Sequence, residues 1–101
     1  MLEKQIESFL TNKVKNMGGL SVKLNSASFS GLPDRMILMP VGRIYFVELK
    51  APGKKPRPLQ VAIHKVFAEL GFKVYVIDTK EKAGEFINAI QTTQVSGNSN
   101  K

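Results

Sequence analysis

Glu48 and Lys50 close an apolar run, Ile44–Leu49, with one residue between them. In an extended chain that spacing sends both side chains out from one face, the face of Phe46. A second acid, Asp34, opens the preceding apolar run, Met36–Met39. The two runs are joined by Pro40-Val41-Gly42, whose length and composition read as a hairpin turn. Met39 then faces Arg43, and paired residue numbers sum to 82. In that register Asp34 lies opposite Glu48, with Cβ atoms about 4.5–5.5 Å apart. Like charges so placed destabilise a sheet unless something positive sits between them. Two carboxylates, with waters or a backbone carbonyl, suit an octahedral Mg²⁺ or Mn²⁺. Such an ion polarises a phosphodiester and acidifies a bound water. Lys50 is placed to orient that water or to meet charge developing on a phosphate. The plainer reading of the trio is a cross-strand salt bridge at the end of a sheet.

Spacing alone does not decide between these readings. With 8 acids and 12 lysines in 101 residues, an acid two before a lysine is expected about once by chance. Asp78-Thr79-Lys80 is a second instance, but there the aspartate reads as part of a helix cap. Context singles out the first match, which ends an apolar strand and has Asp34 across from it.

The elements that must hold these residues follow from periodicity. Leu2, Ile6, Phe9, Leu10, Val14 and Met17 recur at helical steps and predict a helix over residues 2–17, closed by Gly18-Gly19. Leu20, Val22 and Leu24 alternate with polar residues as a short strand does. Residues 26–33 read as a loop, and the hairpin follows. Ala51–Pro58 carries three prolines and cannot join a ladder. Its last proline suits the first turn of a helix whose apolar positions are Leu59, Ile63, Val66, Phe67 and Leu70. Val74–Ile77 is a buried strand, and Asp78-Thr79 caps a last helix with Ala83, Phe86, Ile87 and Ile90 on its inner face. The order α-β-β-β-α-β-α implies an α/β fold, a small mixed sheet flanked by helices that bury those faces. Residues 1–91 form the expected domain. Residues 92–101, with Ser96–Asn100 polar throughout, read as a disordered tail.

Composition narrows the chemistry further. At 11.2 kDa and 43% hydrophobic the chain fits one modest domain. It has no cysteine, so thiol chemistry and zinc–thiolate clusters are excluded, and its one histidine, His64, excludes a His-rich site. His64 reads as a surface or interface residue. No run approaches the roughly 18 apolar residues of a membrane span and none resembles a leader, so a cytoplasmic protein is expected. The net charge of +7 implies a polyanionic partner. It is unevenly placed: residues 34–65 hold seven cations against two carboxylates, whereas residues 66–101 balance. That basic third, with Arg35, Lys54, Lys55, Arg57 and Lys65, is the expected track for phosphates.

Gly31-Leu32-Pro33-Asp34, Val47-Glu48-Leu49-Lys50 and Pro58-Leu59-Gln60, in this order and spacing, resemble the VRR-NUC family. That family belongs to the PD-(D/E)xK nuclease superfamily and is similar to archaeal-type Holliday junction resolvases. The likeness covers about residues 1–80. It implies a single restriction-endonuclease-like domain with an α-β-β-β-α-β core plus a C-terminal helix. It also implies that Asp34, Glu48 and the Leu49 carbonyl ligate Mg²⁺ or Mn²⁺, that Lys50 serves the attacking water, and that Gln60 faces the same pocket. An acid on the first helix is expected near the metal, Glu7 first and Glu3 in reserve. The activity implied is structure-selective cleavage of branched DNA by a homodimer, in a bacterial cell or a phage-infected host. A flap endonuclease or nickase of the same family is the nearest alternative. A non-catalytic basic nucleic-acid-binding protein is the alternative from another class, with a basic accessory subunit of a larger complex behind it.

Overall fold

In a computed structural model, which describes residues 3–26 and 28–99, the elements follow the expected order. They are α1 (Glu3–Asn16), β1 (Leu20–Lys23), β2 (Arg35–Met39), β3 (Arg43–Leu49), α2 (Pro58–Glu69), β4 (Val74–Ile77) and α3 (Lys80–Ser99). The strands form one sheet in the order β1-β2-β3-β4. The first three make an antiparallel meander, and β4 joins β3 in parallel after the α2 crossover. The hairpin pairs Arg35 with Val47 and Met39 with Arg43, the register expected from the loop. Its turn places Val41 and Gly42 at φ 67° and 72°.

Register divides the sheet into two faces of different character. On one, Ile37, Met39, Val47, Leu49 and Ile77 meet Ile6, Leu10 and Val14 of α1 and Ala83, Phe86, Ile87 and Ile90 of α3. All of these are buried, Phe9 and Met17 pack partly buried beside them, and Leu2 of the expected stripe lies outside the described residues. Gly19 lets α1 turn tightly onto this layer. A Cβ there would lie 2.6 Å from Met39 Sδ and 2.8 Å from the Leu38 carbonyl oxygen.

The other face carries Leu20, Val22, Met36, Leu38, Ile44, Phe46, Val74 and Val76, and none of them is fully buried. Only α2 crosses it. Phe46 takes the ring edges of Phe67 and Phe72, at centroid distances of 5.0 and 5.7 Å. The expectation that α2 buries its apolar positions is corrected here: Leu59, Val66 and Leu70 are exposed, and the one buried residue of this helix is Gln60. Periodicity identifies which residues share a side of a helix, not whether enough of the chain remains to cover it. Among the described residues no helix is long and apolar enough to cross a membrane.

At its other end α3 is helical to Ser99, past Thr92, where the polar composition suggests an end to regular structure. No proline lies between Gln91 and Ser99 to stop the backbone hydrogen-bond ladder. Residues 100–101 of the expected tail lie outside the described residues.

Candidate active site

The buried polar centre of the molecule lies on the thinly covered face, where β3 runs out under the start of α2. Glu48 is 0% exposed and is paired through its Cα with Val76 of β4. Asp34 directly precedes β2, one residue before the Arg35–Val47 pair, and its side chain caps the end of β3 by accepting the Leu49 N–H at 2.8 Å. One oxygen of Glu48, Oε2, accepts a hydrogen bond from Gln60 Nε2 at 2.7 Å and lies 3.1 Å from Lys50 Nζ. Gln60 is the hub of the arrangement. Its Oε1 accepts from Lys50 Nζ at 3.1 Å and from the Arg57 backbone N–H at 2.9 Å. The second bond satisfies one of the backbone donors at the helix entry, which Pro58 leaves without a turn of helix before it. Gln60, in the first turn of α2, thus both caps the helix entry and fixes Glu48 and Lys50.

The remaining oxygen, Glu48 Oε1, is buried and has no hydrogen-bond partner. It faces His64 Nε2 at 3.8 Å, and that nitrogen is likewise buried and unpartnered. His64 stands four residues after Gln60, so the two share one side of α2. Its reading as a surface or interface residue is therefore corrected: the imidazole is 12% exposed and belongs to the site. The i to i+4 relation to Gln60 was the signal available for it.

Electrostatics follow from this enclosure. Burial, and then the charge of Asp34, push the Glu48 carboxyl above its ordinary range, while Lys50 and Gln60 oppose the rise. Burial, and then the Lys50 charge, hold His64 below its ordinary range, so the imidazole is neutral at neutral pH. The contact between His64 and Glu48 is accordingly not an ion pair.

Two expected site residues stand elsewhere. Glu7 of α1 is not brought to Asp34 and Glu48; Arg35 donates to its Oε2 through Nη2 at 2.7 Å and Nε at 3.2 Å. Arg35 also donates to Ser21 Oγ at 3.2 Å and is 13% exposed, so this guanidinium is not the free phosphate contact its charge suggested. The reason is strand alternation: Arg35 follows Asp34 by one residue and points to the α1 side. Glu3, the reserve acid, is exposed in the first turn of α1. Lys54, Lys55, Arg57 and Lys65 are exposed, the first three on the loop between Lys50 and α2. The second acid-x-lysine match is structural, as expected: Thr79 Oγ1 caps α3 by accepting the Lys82 N–H, and Asp78 pairs with Lys82 at 2.9 Å.

Among the described residues no three His, Cys, Asp or Glu side chains gather around one point as a metal cage would require. The donor set is instead the two acids Asp34 and Glu48, all oxygen, with one buried carboxylate oxygen of Glu48 lacking a partner. Such a set fits a hard divalent ion that keeps several waters.

An α-β-β-β-α-β domain with an acid–acid–lysine–glutamine cluster at the end of its central hairpin defines the nuclease class anticipated from the motifs. Comparison with known proteins agrees. A solved structure described as "VRR_NUC domain" superposes with a TM-score of 0.80 and 31% identity, over 85% of this chain and 94% of that one. The phage protein "Putative nuclease p44", from Acyrthosiphon pisum secondary endosymbiont phage 1, is 42% identical over 79 residues, 78% of this chain and 85% of its own. No family model matches the chain. The chain belongs to the VRR-NUC family of nucleases.

Proposed function

We propose that this protein is a Mg²⁺- or Mn²⁺-dependent endonuclease that hydrolyses phosphodiester bonds in branched DNA, in the manner of a Holliday junction resolvase. The observation that carries the reading is a buried acid, Glu48, with Gln60 and Lys50 on one of its oxygens, while Asp34 bonds the N–H of the next residue, Leu49. Asp34, Glu48 and the Leu49 carbonyl would hold the cation, which supplies Lewis acidity toward the phosphate and a readily deprotonated water. Lys50, at hydrogen-bond distance from both Glu48 and Gln60, orients that water or meets the growing phosphate charge. Lys54, Lys55 and Arg57 stand exposed on the adjoining loop and position the backbone without reading bases.

Paired cuts across a junction need two such sites, and the thinly covered sheet face supports a homodimer. Leu20, Ile44, Val66, Leu70 and Phe72 are exposed there, 44–70% each. Their open apolar surface is on the order of several hundred Å², comparable with the ~800 Å² each partner gives to a standard interface.

The test is cleavage of labelled four-way junctions, flaps and plain duplexes with Mg²⁺ or EDTA, beside Lys50→Ala. Symmetric paired incisions that need the cation and Lys50 are expected, and Ile44→Glu should reduce the dimer to monomer in light scattering. Full cutting by Lys50→Ala, or in EDTA, overturns the mechanism. A single cut beside the branch assigns a flap endonuclease or nickase instead.

A further inference from the structure

We propose that His64 is a positioning residue for Glu48, donating a hydrogen bond from Nε2 to Oε1 when that carboxylate carries charge and holds the cation. The proposal rests on the cation-dependent reading above and adds a residue to it.

Three observations carry it. The two atoms are buried, unpartnered and aimed at each other 3.8 Å apart, just beyond hydrogen-bond range. Closing that gap takes a side-chain shift of about an ångström, within the play of a rotamer well. The other carboxylate oxygen already has its donors, Gln60 Nε2 and Lys50 Nζ, so His64 is the group left to serve Oε1. Finally, His64 and Gln60 lie one turn apart on α2, and Gln60 is that helix's only buried residue. The inner side of α2 therefore meets Glu48 with one amide and one imidazole, beside the Phe67 ring that packs on Phe46.

The chemistry is that of an outer partner to a metal-binding carboxylate. Glu48 must be ionised to hold a cation, and burial opposes ionisation. Each N–H aimed at it favours the charged form and fixes which lone pairs remain for the ion. A neutral imidazole suffices, since one of its nitrogens carries a proton. His64 acts on the acid and not on the ion, because among the described residues no third His or acid converges with Asp34 and Glu48 on one point.

A purely structural histidine would behave differently from this one. Two buried polar atoms that face each other without bonding destabilise the cation-free fold. Replacing His64 by leucine removes one of them at similar volume. The experiment is titration of the DNA-free, full-length protein with Mn²⁺, read by calorimetry or electron paramagnetic resonance. His64→Leu and His64→Gln are compared with wild type, and the thermal midpoint of each is measured in EDTA. The expected result for His64→Leu is Mn²⁺ affinity lower by about tenfold or more, with an unchanged or raised midpoint. His64→Gln, whose amide can still donate toward Oε1, should bind close to wild type. Equal affinity in His64→Leu overturns the proposal. So does loss of affinity in both variants together with a lowered midpoint, which is the mark of a structural role. A wild type that binds no Mn²⁺ is a separate outcome: it removes the cation reading itself, and this proposal with it.

Discussion

The two faces of the four-stranded sheet are built on opposite principles. Against α1 and α3, Ile37, Met39, Val47 and Leu49 are buried and Tyr45 and Tyr75 pack on them, with the Arg43 guanidinium and the Arg35–Glu7 ion pair at the margins of the layer. Against α2, the apolar side chains stay partly open, and the buried groups are Glu48 and Gln60. One face supplies the stability of the fold. The other spends some of it: a carboxylate, an amide and an imidazole are held out of water where packing hydrocarbon would cost less. Because strand residues alternate between faces, a chain of this size can do both within one sheet. Val47 and Leu49 anchor β3 in the core while Glu48 and Lys50 turn toward the site.

The sharpest way to break this contrast is at Glu48. Glu48→Gln keeps the shape and the Gln60 contact region but removes the charge that burial and Asp34 disfavour. Cleavage should fall by about a hundredfold to a thousandfold, the scale on which loss of one group that stabilises the developing charge, here through the cation, is felt. The thermal midpoint in EDTA should hold or rise. A midpoint that drops by several degrees would mean that the site face stabilises the fold after all.

Much of this division was legible before the structure. The hairpin register, Arg35 with Val47 through Met39 with Arg43, follows from one three-residue loop. Pro58 at the first turn of α2 and Gln60 beside the acid also follow from local rules and the motif. What sequence reading missed concerns faces. The charge of Arg35 suggests a phosphate contact and the family likeness implies a metal ligand in Glu7, yet the two pair with each other on the α1 side. Alternation from Asp34 was the signal against Arg35. A single histidine on a helix carries little signal by itself, and the inward position of His64 shows only in its spacing from Gln60. The openness of Leu59, Val66 and Leu70 was not legible at all, since an apolar stripe carries no record of what covers it.

A matched pair of substitutions separates the faces energetically. Leu10 on α1 is 0% exposed and Leu59 on α2 is 53% exposed, and both are leucines in helices. Leu10→Ala should cost about 2.7–5 kcal/mol, because transfer and cavity terms add. Leu59→Ala should cost less than about 1 kcal/mol when measured by denaturant unfolding at a dilution that keeps the protein monomeric. Comparable losses at the two positions would show that α2 is packed as a core helix.

The smallest effect is the most specific to the site face, and its sign follows from which state holds the proton. In the folded protein Glu48 keeps its proton above the ordinary glutamate value near 4.5, whereas the unfolded chain has released it. The folded state therefore binds more protons, and stability in EDTA falls as pH rises from about 4.5 through the raised value. His64 acts in the other direction. Its folded value lies below the ordinary 6.5, so its contribution grows as pH climbs toward 6.5. Wild type alone would show these two slopes partly cancelling. The difference between wild type and Glu48→Gln isolates the first, at about 1.4 kcal/mol for each pH unit by which Glu48 is displaced. Unfolding curves from pH 4 to 8 should show wild type losing ground to Glu48→Gln as pH rises, and Mn²⁺ should restore it at the upper end. A difference that stays flat with pH would place the Glu48 charge in solvent-like surroundings and erase the contrast between the faces.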